Sequence, residues 1–141
     1  MIVIIAGSRS FSDRALVRTA VQESGWRGRI QQIISGGARG IDTLAENFAR
    51  EQAIPLVVVP ADWANITVPG AVIRSNARGP YNAAAGMRRN EEMARIAAQA
   101  AELRTCAVGL ILIWDGSSSG SAAMRQVAVR HQFLLFEYIP L

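Results

Sequence analysis

Apolar positions along this chain fall into two alternating patterns. Short, near-continuous apolar runs occur at residues 2–6, 55–59, 108–113 and 133–138, and Ile33-Ile34 ends a shorter strand-like segment at 31–35. Between them lie segments whose apolar residues recur every three or four positions, such as Ile41, Leu44, Ala45, Phe48 and Ala49, and later Met124, Val127, Ala128 and His131. Short runs bounded by Gly or Pro read as buried strands, and the 3.6-residue recurrence reads as helices. The predicted helices cover about 13–24, 41–53, 86–104 and 119–131, with Ser12 or Asp13 placed to cap the first. Strands alternating with helices imply a mostly parallel sheet covered on both faces, hence an α/β fold of three layers. No linker or repeat divides residues 1–141, so they read as a single domain, with an irregular loop at about 64–84 between the third strand and the third helix.

Three strand ends share one kind of turn. The first strand runs into Gly7-Ser8-Arg9-Ser10, the second into Ser35-Gly36-Gly37-Ala38-Arg39-Gly40-Ile41-Asp42, and the fourth into Asp115-Gly116-Ser117-Ser118-Ser119-Gly120-Ser121. Turns at the carboxyl ends of parallel strands lie along one edge of the sheet, where ligands bind. Gly7, Gly37 and Gly116 are therefore expected at the same end of the sheet. Glycines let backbone N–H groups approach an anion, and the following helix start presents unpaired N–H groups and a positive dipole end. Ser8, Ser117 and Ser121 add hydroxyl donors, and Arg39 adds a forked, permanent cation. The expected ligand carries phosphate, bound near residues 36–40 and 116–121 with Arg9, Arg39 or Arg89 close by. Val in place of Gly37 should block it, unless Gly37 has a positive φ.

Composition narrows the field. Half of the 141 residues are hydrophobic, enough for a substantial core. No apolar run is long enough for a bilayer span, and the first run is too short for a signal-peptide core, so a cytoplasmic location is expected. One cysteine, Cys106, and one histidine give neither a disulfide nor metal-ligand spacing, so no metal and no cofactor are assigned. The formal charge is +4, and all fifteen basic residues are arginine. That balance favours anionic partners, and the absence of lysine excludes a Gly-Lys-Ser/Thr phosphate loop.

The motif series 6–11 (Ala-Gly-Ser-Arg-Ser-Phe), 35–42, 60–63 (Pro-Ala-Asp-Trp), Arg89-Asn90 with Met93, and 114–121 (Trp-Asp-Gly-Ser-Ser-Ser-Gly-Ser) resembles the YspA-type SLOG family. Its superfamily takes in the DNA-processing Smf/DprA proteins and the Lonely Guy phosphoribohydrolases. The resemblance implies a Rossmann-like domain that binds a nucleotide or nucleotide derivative, with ligand contacts among Gly7, Ser8, Arg9, Gly36, Gly37, Ala38, Arg39, Gly40, Asp42, Arg89, Asn90, Asp115, Gly116, Ser117, Gly120 and Ser121. It departs from the phosphoribohydrolases at one decisive place. Their last glycine-rich motif is followed by a catalytic glutamate, where this chain has Met124, which cannot ionise.

Single residues admit two readings each. Asp42 fits a helix start, where a carboxylate favours the dipole, and could also hold a ribose hydroxyl. Asp42 and Glu46 lie four apart and form either a solvated pair or a working one. Trp114 and Trp63 could stack on a base or pack internally. Three functions follow: a nucleotide-binding protein or ligand sensor; an N-glycosidic hydrolase using Asp42, Glu46 or Asp115; and a nucleic-acid-binding module resembling DprA. No linear segment clusters basic residues with exposed aromatics, which weighs against the third. Alanine on several faces of the 86–104 helix, together with the family resemblance, points to a homodimer.

Overall fold

The computed structural model describes residues 1–140. Along the chain run β1 (Ile2–Gly7), α1 (Ala15–Ser24), β2 (Gln32–Ser35), α2 (Ile41–Glu51), β3 (Leu56–Val58), β4 (Ile73–Asn76), β5 (Gly79–Asn82), α3 (Ala85–Arg104), β6 (Val108–Ile113), α4 (Ser119–Arg130) and β7 (Leu134–Tyr138). Five strands form one sheet in the order β3-β2-β1-β6-β7, and every pairing in it is parallel. β1 and β6, in the middle, are buried almost throughout, which is why they read as unbroken apolar runs.

Each face of the sheet has its own core. Ile2, Ile4, Leu110 and Leu112 point to one side and pack with Met93, Ala94 and Ala97 of α3 and Met124 and Val127 of α4. Val3, Ile5, Ile111 and Ile113 point to the other and meet Val17 and Val21 of α1 and Ile41, Ala45 and Phe48 of α2. The alternation follows from the two-residue period of a strand. The small side chains of α3 are thus largely used against the sheet: Ala94 and Ala97 are fully buried, whereas Ala98 and Ala100 are only half-buried.

The chain reverses direction across the sheet between β1 and β6. From β1 it winds outward through β2 to β3, then crosses to β6 and winds outward to β7. At that point the loops leaving β1 and β6 diverge and open a crevice at the carboxyl ends of the strands, the usual ligand position in such sheets. Because all five strands run the same way, the turns holding Gly7, Gly37 and Gly116 lie at one end, as the sequence pattern predicts.

The region expected to be an irregular loop holds an antiparallel hairpin instead. β4 and β5 pair Ile73 with Asn82 and Asn76 with Gly79. Asn76 Oδ1 accepts the Arg78 N–H at 2.9 Å, and Gly79 takes φ +107° to complete the reversal. The buried Asn82 fixes the root: its Oδ1 accepts from Val72 N–H at 3.1 Å and Ala84 N–H at 3.0 Å, while its own N–H donates to the Trp63 carbonyl at 2.7 Å. β4 is exposed along its whole length, so no core face imposed an apolar alternation that a sequence reading could detect.

Candidate functional site

A cleft of about 960 Å³ lies at the switch point. Its walls come from the loop after β1, the start of α2, Trp63, the first turns of α3 and the start of α4. Gly7, Ser8, Arg9, Ala38, Arg39, Asp42, Arg89, Asn90, Asp115, Gly120 and Ser121 all line it. Gly36, Gly37, Gly40, Gly116 and Ser117 do not.

Those five have other surroundings. Gly40, at φ +77°, lies against the β1 loop, and a Cβ there would sit 2.4 Å from the Ser8 carbonyl oxygen. Only glycine lets these two turns touch, and the contact is sealed by the Ile41 N–H donating to Ser8 O at 3.2 Å. Gly36 gives its carbonyl to an Arg89 guanidinium N–H and leaves room for that side chain. Gly37 has φ +69°, and a Cβ there would face Val58 at 3.1 Å and Pro60 at 3.4 Å. Valine at Gly37 therefore strains the turn rather than filling the cleft, and it tests the fold instead of the ligand. The Gly37 N–H is taken by Ser35 Oγ at 3.2 Å and the Ala38 N–H by Asp42 Oδ2 at 3.1 Å.

The β6 loop is tied down in a similar way. Asp115 Oδ1 accepts the N–H groups of Ser117 at 2.9 Å and Ser118 at 2.8 Å, and these bonds hold its carboxyl below the usual range. The turn thus delivers Ser118 to the start of α4. The first backbone bond of that helix runs from Ala122 N–H to Ser118 O at 3.0 Å, and no side chain caps the end. The N–H groups of Ser119, Gly120 and Ser121 precede the ladder and carry the positive end of the helix dipole.

Two hydroxyls in this cleft are buried without any partner: Ser8 Oγ and Ser118 Oγ. A buried hydroxyl lacking a hydrogen bond costs about 1–3 kcal/mol. Ser8 is 4% exposed.

Cations surround the same space. Arg9 lies over the Trp63 ring, 5.5 Å from its centroid, and Arg39 is exposed at the rim. Arg89 is half-buried, with Nε donating to Asn90 Oδ1 at 3.0 Å. Burial holds its guanidinium below the usual value; the charge of Arg9 adds to that and Asp42 opposes it. Asp42 is itself buried, and desolvation pushes its carboxyl up to about 6 against the help of the Ala38 N–H and Arg89. The neighbouring Glu46 raises it further. Glu46 does not line the cleft; its Oε2 accepts the Ser35 hydroxyl at 2.7 Å. Among the described residues, no group of three or more His, Cys, Asp or Glu side chains could hold a metal ion.

The two tryptophans separate. Trp114 is 8% exposed, belongs to the core and donates its Nε1–H to Glu137 Oε2 at 3.2 Å. Trp63 forms a wall of the cleft, and Gly86 makes room for it: a Cβ at that glycine would lie 2.9 Å from the indole. Gly86 and the buried Met124 are cleft residues that sequence reasoning did not assign to the ligand, and Ser118 was covered only by the 116–121 span without being singled out. Only Ser118 carried a signal, since it sits in the Ser/Gly-rich turn.

The family model of the YspA, cpYpsA-related SLOG family matches residues 1–65. That stretch carries β1 to β3, both turns that meet at Gly40, and Trp63. No curated protein and no solved structure matches the chain.

Proposed function

From the SLOG match over β1 to Trp63, we propose that this protein binds a nucleotide or nucleotide derivative in the switch-point cleft and acts as a binding protein or sensor. The observation that carries the reading is the pair of unpartnered hydroxyls of Ser8 and Ser118 beside the uncapped start of α4. A phosphate there receives the N–H groups of Ser119, Gly120 and Ser121 together with both hydroxyls, and meets Arg9, Arg39 and Arg89. Trp63 offers a ring face to a base. Asp42, at the inner end, is placed to accept a ribose hydroxyl. A cytoplasmic homodimer completes the reading, and no described helix is long and apolar enough to cross a membrane.

Gly120 provides the clean test. It lines the cleft, and a Cβ at this position meets nothing within 4 Å. Gly120→Val should therefore fill ligand space without disturbing the fold. Calorimetry across nucleoside mono-, di- and triphosphates should show binding to the wild type and loss of it in the variant. No binding by any of them, or unchanged binding in Gly120→Val, refutes the reading.

One observation favours a second reading, hydrolysis of an N-glycosidic bond: the Asp42 carboxyl, raised to about 6, lies in the cleft and could work as a general acid or base. The first reading is preferred because Met124 occupies the phosphoribohydrolase glutamate position and Glu46 is engaged by Ser35. Incubation with AMP, GMP, CMP and UMP, with released base measured by chromatography, separates the two. Turnover near an ordinary enzyme median of about 10 per second, lost in Asp42→Asn, would establish the second.

A further inference from the structure

We propose that Arg9 makes base recognition in the cleft conditional on phosphate: it covers the face of Trp63 that a base would use, and an anion at the start of α4 draws it away. The proposal rests on the nucleotide reading of the cleft. It adds that the ligand is taken as a phosphorylated compound and its bare nucleoside is disfavoured.

Trp63 is the fixed partner of this pair. Its carbonyl accepts the Asn82 N–H at 2.7 Å, Tyr81 meets its ring edge-on with centroids 6.5 Å apart, and α3 abuts it at Gly86, where a Cβ would lie 2.9 Å from the indole. Arg9 is pinned at its backbone alone: a Cβ at Gly40 would come within 2.5 Å of the Arg9 Cα. Its side chain is exposed, and its guanidinium carbon lies 5.5 Å from the Trp63 ring centroid. Both residues line the cleft. An offset-stacked base puts its own centroid about 4.5–7 Å from the indole, the shell that the guanidinium occupies. Base and guanidinium therefore compete for one face of the ring.

The hold of the ring on Arg9 is weak, since an exposed cation–π contact shifts an equilibrium only about two- to fivefold. The second cation of the cleft helps to keep Arg9 there. Arg89 is half-buried, bonded to the Gly36 carbonyl and to Asn90, and its charge and that of Arg9 act on each other. Turning Arg9 inward brings the two cations closer, and the Asp42 carboxylate that could offset this already faces Arg89. A phosphate beside Ser8, Ser118 and the start of α4 removes that penalty. It supplies negative charge to both arginines and offers the forked guanidinium charge-assisted hydrogen bonds, roughly twice as strong as neutral ones. Ser8, whose buried hydroxyl has no partner, immediately precedes Arg9, so such an anion lies within reach of the Arg9 side chain without any backbone movement. Phosphate and base then bind with positive coupling, and each favours the other by the same factor.

The test titrates adenosine, guanosine, cytidine and uridine by calorimetry, each with and without saturating inorganic phosphate at matched ionic strength, alongside their monophosphates. Phosphate should tighten nucleoside binding about two- to fivefold, the worth of the displaced ring contact. Arg9→Ala changes an exposed side chain, and urea unfolding checks that the variant is folded. It should bind the nucleoside as tightly without phosphate as the wild type does with it. Arg9→Lys keeps a cation for both ring and phosphate and should restore the coupling. Inorganic phosphate alone should also change the tryptophan emission of the wild type, and neither Arg9→Ala nor Trp63→Phe should show that change. Nucleoside binding that ignores phosphate, an emission that phosphate does not move, or either effect persisting in Arg9→Ala overturns the role given to Arg9. So does binding of a monophosphate with no nucleoside binding in either condition. Each of these leaves the nucleotide reading standing, whereas no binding by any nucleoside or nucleotide refutes that reading and the conditional role together.

Discussion

Replacing Asp42 by Asn probes a carboxylate that the fold holds at a cost. Asp42 is 6% exposed, and its strongest influence is desolvation, which lifts the carboxyl from an ordinary 3.8 to about 6. At about 1.4 kcal/mol for each tenfold change in proton affinity, that difference corresponds to about 3 kcal/mol. The sign follows from proton counting. Between about pH 4 and pH 6 the folded chain binds more protons than the unfolded one, so this group makes stability fall as pH rises through that window. Asparagine keeps an acceptor for the Ala38 N–H, which Asp42 Oδ2 now takes at 3.1 Å, and carries no charge. Its amide donors face Arg89 and recover less, and one poorly satisfied donor costs about 1 kcal/mol. The expected net gain at pH 7 is about 2 kcal/mol, turning into a loss of about 1 kcal/mol below pH 4, where the carboxyl is protonated in both states and only the amide cost is left. Urea unfolding of both proteins across pH 4 to 8 measures it. A variant less stable than wild type at pH 7, or a difference that does not change with pH, would show that Arg89 and Arg9 stabilise the carboxylate at least as much as burial penalises it. The outcome bears on function, because a charge retained in a cleft against stability is what a ligand site requires.

Gly40→Ala should lose about 3 kcal/mol or more by urea unfolding, because it combines a strained positive φ with a Cβ 2.4 Å from the Ser8 carbonyl oxygen. A loss under 1 kcal/mol would mean that the two turns do not touch as described. Gly37→Val should also destabilise, through φ +69° and Val58, by about 1–3 kcal/mol; full stability with lost ligand binding would restore Gly37 to the cleft wall. Light scattering at high micromolar concentration should give the mass of two chains, and a monomer there contradicts the homodimer.

The sheet was legible in the sequence because burial on both faces writes itself as unbroken apolar runs, such as residues 108–113. The glycine-rich turns were legible as well, since few residues besides glycine adopt φ +77° at Gly40. The hairpin was not, for its residues answer to no core. Nor could the sequence sort its own glycines. Gly120 faces open cleft space, whereas Gly7, Gly36, Gly37 and Gly40 let other parts of the chain approach, Gly7 at the cleft wall against the Ile113 carbonyl, and only the neighbours brought by folding make that difference. The same holds for the two tryptophans and for the paired acids. Trp114 points into the core and Trp63 into the cleft. Glu46 is occupied by Ser35, eleven positions before it, while Asp42 is left buried beside Arg89. Local periodicity and backbone demands are properties of neighbouring residues, and the sequence determined those. Desolvation and unpaired hydroxyls depend on residues distant along the chain, and tertiary structure alone decided them.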